Sequence, residues 1–258
     1  MAAYAFTDLH GNLKAYKRLM EYTSPEDKLF FLGDAADRGG KGFEIMLELL
    51  NDPRVTYLKG NHERMMYEAV ENGSKSEEHS LWMYNGGRST YLALRKHFPD
   101  ENDRLAFAEK LNQLPVYAGY ETPDGRIWHM THAGYNFGTD VEDTEAFVWN
   151  RSHFRDDRRG ADNEFQIHGH TPTFHLIPRI YGSNSEMANT YKGEAVTYAD
   201  GKKICIDMLT AFTGRAVLFN LDTGEELYAD VEPAQKTSLN FLVGYKSFAK
   251  HRKSLLAQ

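Results

Sequence analysis

Five short apolar runs in this chain each end directly in a polar motif, and this arrangement constrains the fold more than any other feature. The runs are rich in aromatic and β-branched residues and are bounded by glycine, which is typical of buried strands. They cover residues 4–7, 29–32, 55–58, 127–131 and 165–167. The motifs that follow them are Asp8-Leu9-His10-Gly11, Gly33-Asp34-Ala35-Ala36-Asp37-Arg38-Gly39, Gly60-Asn61-His62-Glu63, His132-Ala133-Gly134 and His168-Gly169-His170-Thr171-Pro172.

Helical patterns separate the first three runs. Apolar residues recur at helical spacing over residues 13–20 and 43–50, and a third helix is predicted to start near Met65. Alternating strands and helices indicate parallel strands joined by crossover helices. In such sheets ligands bind beyond the carboxyl ends of the strands. We therefore expect the five motifs to meet at one site.

The rest of the chain is predicted to contain further helices and then strands. Helical segments are expected at 81–94, interrupted at 85–87, and at 105–114. A long loop or ragged hairpin is expected over 181–200. Three strands, with a turn between the last two, are expected at 204–207, 215–220 and 226–230. We divide the chain into a domain over residues 1–235 and a helical tail over 236–258. A solvated tail helix is expected, with a helix that binds a partner or membrane surface as the alternative.

Composition limits the classes of protein that the chain can represent. Its 258 residues are 41% hydrophobic and 26% charged, which fits one large globular domain. The net charge of -7 and the lack of a basic stripe speak against nucleic-acid binding. Its single cysteine, Cys205, excludes an internal disulfide and is expected in the core. We find no signal peptide and no membrane span, so we expect a cytoplasmic protein without membrane partners.

The motifs contain the side chains of a two-metal site. Asp8 and His10 are two residues apart at a strand exit, so both are expected to point the same way. Asp34 leaves its strand directly into a loop, where its carboxylate could bridge two cations. Asp37 and Arg38 follow on the same loop.

The later motifs supply an amide and several imidazoles. The Asn61 amide oxygen suits a hard cation, whereas the neighbouring His62 is either a ligand or a general acid. His132 and His170 would complete a nitrogen-rich half-site. His168 is ambiguous by spacing, and His170 is preferred because it directly precedes the turn at residues 171–172.

Mixed oxygen and nitrogen ligands without a thiolate favour Mn²⁺, with Fe or Zn²⁺ as alternatives. Two such ions would clamp the attacking and leaving oxygens of an in-line displacement. Together with Arg38 and Arg151 they would outweigh Asp8 and Asp34 and make the pocket cationic. Arginine suits a phosphate because its planar guanidinium binds two oxygens at once.

As a set, the motifs resemble those of the PPP family of metallophosphoesterases, especially its compact bacterial and bacteriophage members such as the lambda-phage protein phosphatase. Further matches are Trp82-x-x-Asn85-Gly86-Gly87, Trp149-Asn150-Arg151 and Asp207 before Phe212. The resemblance covers about residues 4–224. It implies an α/β chain with the calcineurin-like fold, in which two mixed β-sheets pack as a sandwich flanked by helices, in four αββα layers.

The resemblance also implies a role for each site residue. Asp8, His10 and Asp34 would hold one metal ion. Asn61, His132 and His170 would hold the second, with Asp34 bridging the two. His62 would protonate the leaving oxygen, held in place by Asp37, while Arg38 and Arg151 would bind the phosphoryl oxygens. A metal-bridging hydroxide would attack phosphorus directly, without a phosphoenzyme.

Three departures from the family pattern put the substrate in doubt: Ala35-Ala36 after Asp34, Met208-Leu209-Thr210 after Asp207, and an apparent insertion at 181–200. The expected activity is a serine/threonine protein phosphatase, with a dinucleoside-polyphosphate hydrolase as the alternative. The substrate would thus be a phosphorylated protein or a nucleotide. A third hypothesis, an inactive phosphate-binding scaffold, is disfavoured by the intact ligand set. His129 and His153 are minor candidates for a supporting role.

Overall fold

The computed structural model describes residues 1–140, 144–155, 158, 160–236, 239 and 245–255. Within these residues the strands are β1 Ala3–Phe6, β2 Lys28–Phe31, β3 Val55–Tyr57, β4 Tyr117–Glu121, β5 Ile127–Thr131, β6 Glu164–His168, β7 Val196–Tyr198, β8 Lys203–Cys205, β9 Arg215–Asn220 and β10 Glu226–Asp230. The α-helices are α1 Leu13–Met20, α2 Gly42–Asn51, α3 Asn61–Asn72, α4 Glu77–Tyr84, α5 Arg88–His97, α6 Glu101–Asn112, α7 Thr144–Trp149, α8 Thr173–Ile180, α9 Glu186–Thr190, α10 Thr210–Thr213 and α11 Tyr245–Leu255, and a 3₁₀ turn covers His153–Arg155. Each of the five predicted strands is present within a residue or two of its expected bounds.

The strands form two mixed five-stranded sheets. The first has the order β10-β9-β1-β2-β3, in which β1, β2 and β3 are parallel and β9 runs antiparallel to both β1 and β10. The second has the order β4-β5-β6-β8-β7, with β5, β6 and β8 parallel between two antiparallel edge strands. The prediction of two mixed sheets is confirmed.

Three buried clusters show how the layers are stacked. Alternate residues of β1 face opposite sides, as a strand requires. Ala3 and Ala5 lie in the cluster between the two sheets, whereas Tyr4 and Phe6 belong to the cluster beneath the helices of the first sheet. A third cluster, on the other face of the second sheet, includes residues of α8, α9 and α11. The four-layer αββα arrangement is therefore confirmed.

The expected break between α4 and α5 is present and is a tight packing point. Gly86 has φ +100, a conformation that favours glycine, and a side chain there would meet Arg38. A Cβ on Gly87 would lie 2.5 Å from the indole nitrogen of Trp82. This connection is thus pressed against the loop that carries Arg38.

Two predictions for the later part of the chain need correction. The 181–200 segment contains the helix α9, which the sequence analysis missed, and ends in β7, which pairs antiparallel with β8 beyond the segment. The tail helix is present as α11, but it is not solvated on all sides. Phe248 is 1% exposed and packs against Phe174 with ring centroids 5.4 Å apart. Burial of its large apolar ring in the third cluster removes apolar surface from water, which stabilises this position of the helix. Leu242, predicted on the same helix, lies outside the described residues, and the domain division at 235 stays a prediction.

Cys205 is buried, as expected. Of the helices in the described part of the chain, none has the length and apolar character needed to cross a membrane.

Candidate functional site

The five motifs meet where the two sheets come together at the carboxyl ends of their parallel strands. The chain segments that follow β1 and β2 are joined by a backbone hydrogen bond. The N–H of His10 donates to the main-chain carbonyl oxygen of Asp34 at 3.1 Å. The loop after β6 is tied to the loop after β5 by a bond from Gly169 N to the His132 oxygen at 2.8 Å. The backbone N–H of His170 then donates to Asp8 Oδ2 at 3.0 Å. That bond joins the two sheets at the site.

Six of the predicted site residues have a left-handed backbone. Their φ angles lie between 42° and 68°: Asp8, His10, Asp34, Asp37, Arg38 and His170. The described residues include nine such non-glycine positions in all, so the conformation is concentrated here. Residues other than glycine adopt this backbone conformation at a cost of about 1 kcal/mol or more, which contacts in the surrounding structure must offset. Asp8 and His10 therefore converge because the backbone turns sharply after β1, and the expected strand alternation is not the reason.

Asp34 lies between two overlapping sets of candidate ligands. Its Oδ2 is 3.5 Å from His10 Nε2, and its Oδ1 is 3.5 Å from His132 Nε2. One set comprises His10, Asp34 and His62, and the other Asp8, Asp34 and His132, with the ligand atoms of each within 4.8 Å of one another. A carboxylate shared in this way is placed to bridge two cations.

Backbone carbonyls orient two of the imidazoles. The Nδ1–H of His10 donates to the Ala36 oxygen at 2.9 Å, and the Nδ1–H of His132 donates to the Leu32 oxygen at 2.8 Å. Each ring then presents the lone pair of Nε2 to the carboxylates. Histidines that bind metals are typically held by such a bond from the other ring nitrogen.

The side-chain amide of Asn61 links the remaining imidazoles. Its Oδ1 lies 2.9 Å from His132 Nε2 and 2.9 Å from His170 Nδ1. With His132 in the tautomer given above, two electron-rich atoms face each other, an arrangement that a cation would stabilise. The buried Nε2 of His170 has no hydrogen-bond partner among the described residues. These observations fit a metal site.

Three carboxyl groups at the site are almost completely buried. Burial raises the pKa of Asp34 well above its ordinary value, and the charges of Asp8 and Glu63 raise it further. The pKa of Asp8 is raised by burial, against the effects of His132 and Thr7. Burial and the charge of Asp8 also raise the pKa of Asp207. Divalent cations would relieve this repulsion, so the donor set fits the predicted ions.

His62 is held by a buried carboxylate on the neighbouring loop. Its Nδ1 lies 2.6 Å from Asp37 Oδ2, and Trp82 Nε1 donates to that same oxygen at 2.8 Å. Burial raises the pKa of Asp37 to about 7, while hydrogen bonds from Thr90 and Trp82 oppose this effect. Burial and the charge of Arg38 lower the pKa of His62. A negative phosphate nearby would favour protonated His62 again.

The two predicted phosphate-binding arginines contact different parts of the site. Arg38 is half-buried and donates to His10 Nε2 at 2.5 Å and to His62 Nε2 at 3.0 Å. Arg151 is exposed, and its Nε donates to Thr171 Oγ1 at 3.2 Å. Arg38 thus occupies the His10 lone pair that a metal ion would take and the His62 nitrogen that would carry the proton for a leaving oxygen.

Sequence reasoning missed two residues that shape the site. Glu63 accepts bonds from the backbone N–H groups of Asp34, Ala35 and Gly60 at 2.8 to 3.0 Å, and so holds the loop that presents Asp34. Its signal was its place as the third residue of helix α3, where a glutamate caps the helix start. The other residue, Trp82, was recognised only as part of a motif.

The ambiguous histidines fall outside the ligand group. His168 and His153 both hydrogen-bond to the Tyr198 hydroxyl, at 2.8 and 2.9 Å, in a buried network behind the site. His129 bonds instead to the Tyr117 hydroxyl at 2.7 Å. The preference for His170 over His168 agrees with this geometry, although the ligand roles stay predictions.

Comparison with known proteins agrees with the fold and with a site for divalent metal ions. Residues 1–207 match the calcineurin-like phosphoesterases, and the chain belongs to this family, whose members use divalent metal ions. Serine/threonine-protein phosphatase 2 of Escherichia coli (strain K12) is 29% identical over 150 residues, or 55% of this chain and 64% of that protein. Serine/threonine-protein phosphatase 1 of Salmonella typhimurium is 29% identical over 175 residues, or 64% of this chain and 76% of that protein. The match to the first relative thus spans less than two thirds of its length.

A solved structure described as a candidate diadenosine tetraphosphatase superposes with a TM-score of 0.58. The superposition covers 88% of this chain and 92% of the other, at 16% sequence identity. At that identity the likeness supports the fold alone.

Proposed function

We propose that this chain is a two-metal phosphoester hydrolase that acts as a serine/threonine protein phosphatase. The observation that carries the proposal is the position of Asp34, shared by two sets of candidate ligands, beside the hydrogen-bonded pair of His62 and Asp37. The names of the Escherichia coli and Salmonella relatives support the choice of phosphoprotein substrates.

The candidate ligands divide into two half-sites in this proposal. Asp8, His10 and Asp34 would hold one ion, and Asn61, His132 and His170 the other, with Asp34 bridging. Mn²⁺ is the proposed metal, with Fe or Zn²⁺ as alternatives. When bound, such ions polarise the phosphoryl group and lower the pKa of coordinated water, so that attack on phosphorus is direct.

His62 is the proposed general acid. The Nδ1–H of His62 would remain hydrogen-bonded to Asp37, whose carboxylate stabilises the imidazolium. The proton on Nε2 would be transferred to the leaving oxygen. Arg38 and Arg151 are proposed to bind the phosphoryl oxygens. Once His10 is engaged as a ligand, Arg38 loses one acceptor, and its guanidinium can turn to the substrate.

The role of His62 is tested by replacing it with Asn. Turnover of p-nitrophenyl phosphate is expected to fall at least a hundredfold, while metal content stays near that of the wild type because none of the six proposed ligands changes. His175→Asn, an exposed histidine on α8, is the matched control and should keep full activity. Unchanged turnover in His62→Asn would contradict the general-acid role.

Hydrolysis of dinucleoside polyphosphates is the second candidate function. The Trp82-x-x-Asn85-Gly86-Gly87 segment resembles that of bacterial relatives that include such hydrolases, and the superposed structure is described as a candidate diadenosine tetraphosphatase. The two are separated by kcat/KM on a phosphothreonine peptide and on diadenosine tetraphosphate with Mn²⁺. We expect the peptide to be preferred, and a large preference for the nucleotide would reject the protein-phosphatase proposal.

A further inference from the structure

An open groove of about 650 Å³ begins at Arg38 and runs between α4, α5 and the residues near Phe212. Its size is within the range of ligand-binding pockets. Arg38 belongs to both the groove and the candidate site, and its backbone N–H donates to the Gly86 oxygen at 3.1 Å. Whatever lies in the groove is therefore next to the proposed phosphate position.

The groove exposes apolar side chains that a fold would otherwise bury. Tyr84 is 91% exposed and Leu92 is 57% exposed, and both line it together with Phe212. The inner sides of α4 and α5 bind the loop 33–39, called the catalytic loop below. Trp82 Nε1 donates to Asp37 Oδ2, and the backbone N–H of Asp37 donates to Thr90 Oγ1. The outer face is thus rigidly connected to the site that it flanks, and an exposed aromatic group there is suited to binding.

The charge of the groove has one sign. Arg38 and Arg88 line it, and none of the described residues in its lining is acidic, although the whole chain carries a net charge of -7. Asn85 and Gln235 add amide groups able to bond with peptide groups. A local basic surface on an acidic protein selects for an acidic partner.

We propose that this groove binds the polypeptide beside the phosphorylated residue, and that it selects segments with an acidic residue and an apolar residue next to the phosphate. The inference rests on the proposed protein-phosphatase function. Arg88 would pair with the acidic side chain, and Tyr84 and Leu92 would cover the apolar one. A polyphosphate chain fits less well, because the groove adds only Arg88 to the charge of Arg38 in its described lining.

Two variants and two matched controls test the groove with three substrates. Arg88→Glu and Tyr84→Ala alter its lining, whereas Lys96→Glu and Leu81→Ala make comparable changes at exposed positions of the same helices outside it. The substrates are p-nitrophenyl phosphate and two phosphothreonine peptides that differ only in flanking Glu or Lys residues. All are measured as kcat/KM with Mn²⁺ at low salt, since added salt screens exposed charges.

The wild type should prefer the Glu peptide. Arg88→Glu is expected to shift the Glu-to-Lys preference by about tenfold towards Lys, and Tyr84→Ala to lower kcat/KM on both peptides by about fivefold. Turnover of p-nitrophenyl phosphate, too small to reach the groove, should stay unchanged, and the controls should behave like the wild type.

Three results would overturn the inference. The first is an unshifted peptide preference in Arg88→Glu, and the second is an equal loss on all three substrates, which would indicate damage to the catalytic loop. The third is a selective loss in both groove variants on diadenosine tetraphosphate, assayed as a fourth substrate, which would assign the groove to a nucleotide. A wild type without Mn²⁺-dependent turnover of p-nitrophenyl phosphate would instead reject the proposed function, and this inference with it.

Discussion

Asp37 is fixed by side chains that come from distant parts of the sequence. Its Oδ2 is shared by His62 Nδ1 and Trp82 Nε1, and its backbone N–H donates to Thr90 Oγ1. Its Oδ1 has no hydrogen-bond partner among the described residues. The indole N–H of Trp82 therefore stabilises the carboxylate that orients the proposed general acid.

Trp82→Phe tests this role, because it removes the N–H and keeps most of the ring. We expect kcat on p-nitrophenyl phosphate to fall by about tenfold with unchanged metal content, as is typical when a group that orients an active-site residue is lost. Trp128→Phe is the matched control, since it removes a buried indole N–H that donates to the Leu221 oxygen at 2.9 Å. Equal kcat values for the two variants would contradict the prediction.

Among the elements, the loops at the strand ends decide the geometry of the site. The loop after β6 approaches the end of β1 so closely that a Cβ on Gly169 would lie 2.0 Å from Asp8 Oδ2 and 2.5 Å from Thr7 Oγ1. The same loop carries His170, whose N–H bonds to Asp8. A side chain at 169 would thus displace a proposed ligand and the contact between the sheets.

We expect Gly169→Ala to weaken Mn²⁺ binding by about tenfold and to destabilise the fold by about 1–3 kcal/mol, the usual cost of overpacking. Isothermal titration with Mn²⁺ and thermal denaturation measure the two effects. Gly40→Ala is the control, because a Cβ there meets open space. Wild-type metal affinity in Gly169→Ala would show that the loop can move without consequence for the site.

For the molecule as a whole, buried imidazoles make stability depend on pH. Burial lowers the pKa of His168 to about 3, and burial together with the charge of His168 lowers the pKa of His153. Below pH 6.5 the unfolded chain takes up protons that the folded chain excludes. The stability that these two histidines contribute is therefore fully present above pH 6.5 and is lost as the pH falls from 6.5 towards 3.

Each of these two histidines is expected to lower the free energy of unfolding of the metal-free protein by about 1.4 kcal/mol per pH unit between pH 6.5 and 5. The buried carboxyl groups with raised pKa act in the opposite direction and are common to the wild type and the histidine variants. His168→Gln removes one of the two histidines and should therefore remove that residue's share of the slope. The same substitution is also expected to lower the free energy of unfolding at pH 7.5. The exposed His97→Gln should keep the wild-type slope. Urea denaturation at several pH values measures it, and an identical slope in His168→Gln would contradict the prediction.

Much of the fold was predictable because its signals are local. The strand β5 has its predicted bounds because four of its five residues are apolar or β-branched and turn signals flank it. Helix α9 was missed because its sequence, Glu-Met-Ala-Asn-Thr, is short and mostly exposed, so it lacks an apolar period. Phe248 was expected on a solvated helix because spacing within a helix does not show whether a distant cluster will cover one of its faces.

The sequence alone determined the alternation of strands and helices, the donor atoms at the strand ends and the family, since each depends on residues close together in the chain. Only the tertiary structure decided which atoms meet. It placed His168 on Tyr198 and His170 on Asn61, although the two histidines are only two residues apart. It also turned the indole of Trp82 towards Asp37. The physical reason is that left-handed turns and contacts between the two sheets aim these side chains, and neither has a local signature in the sequence.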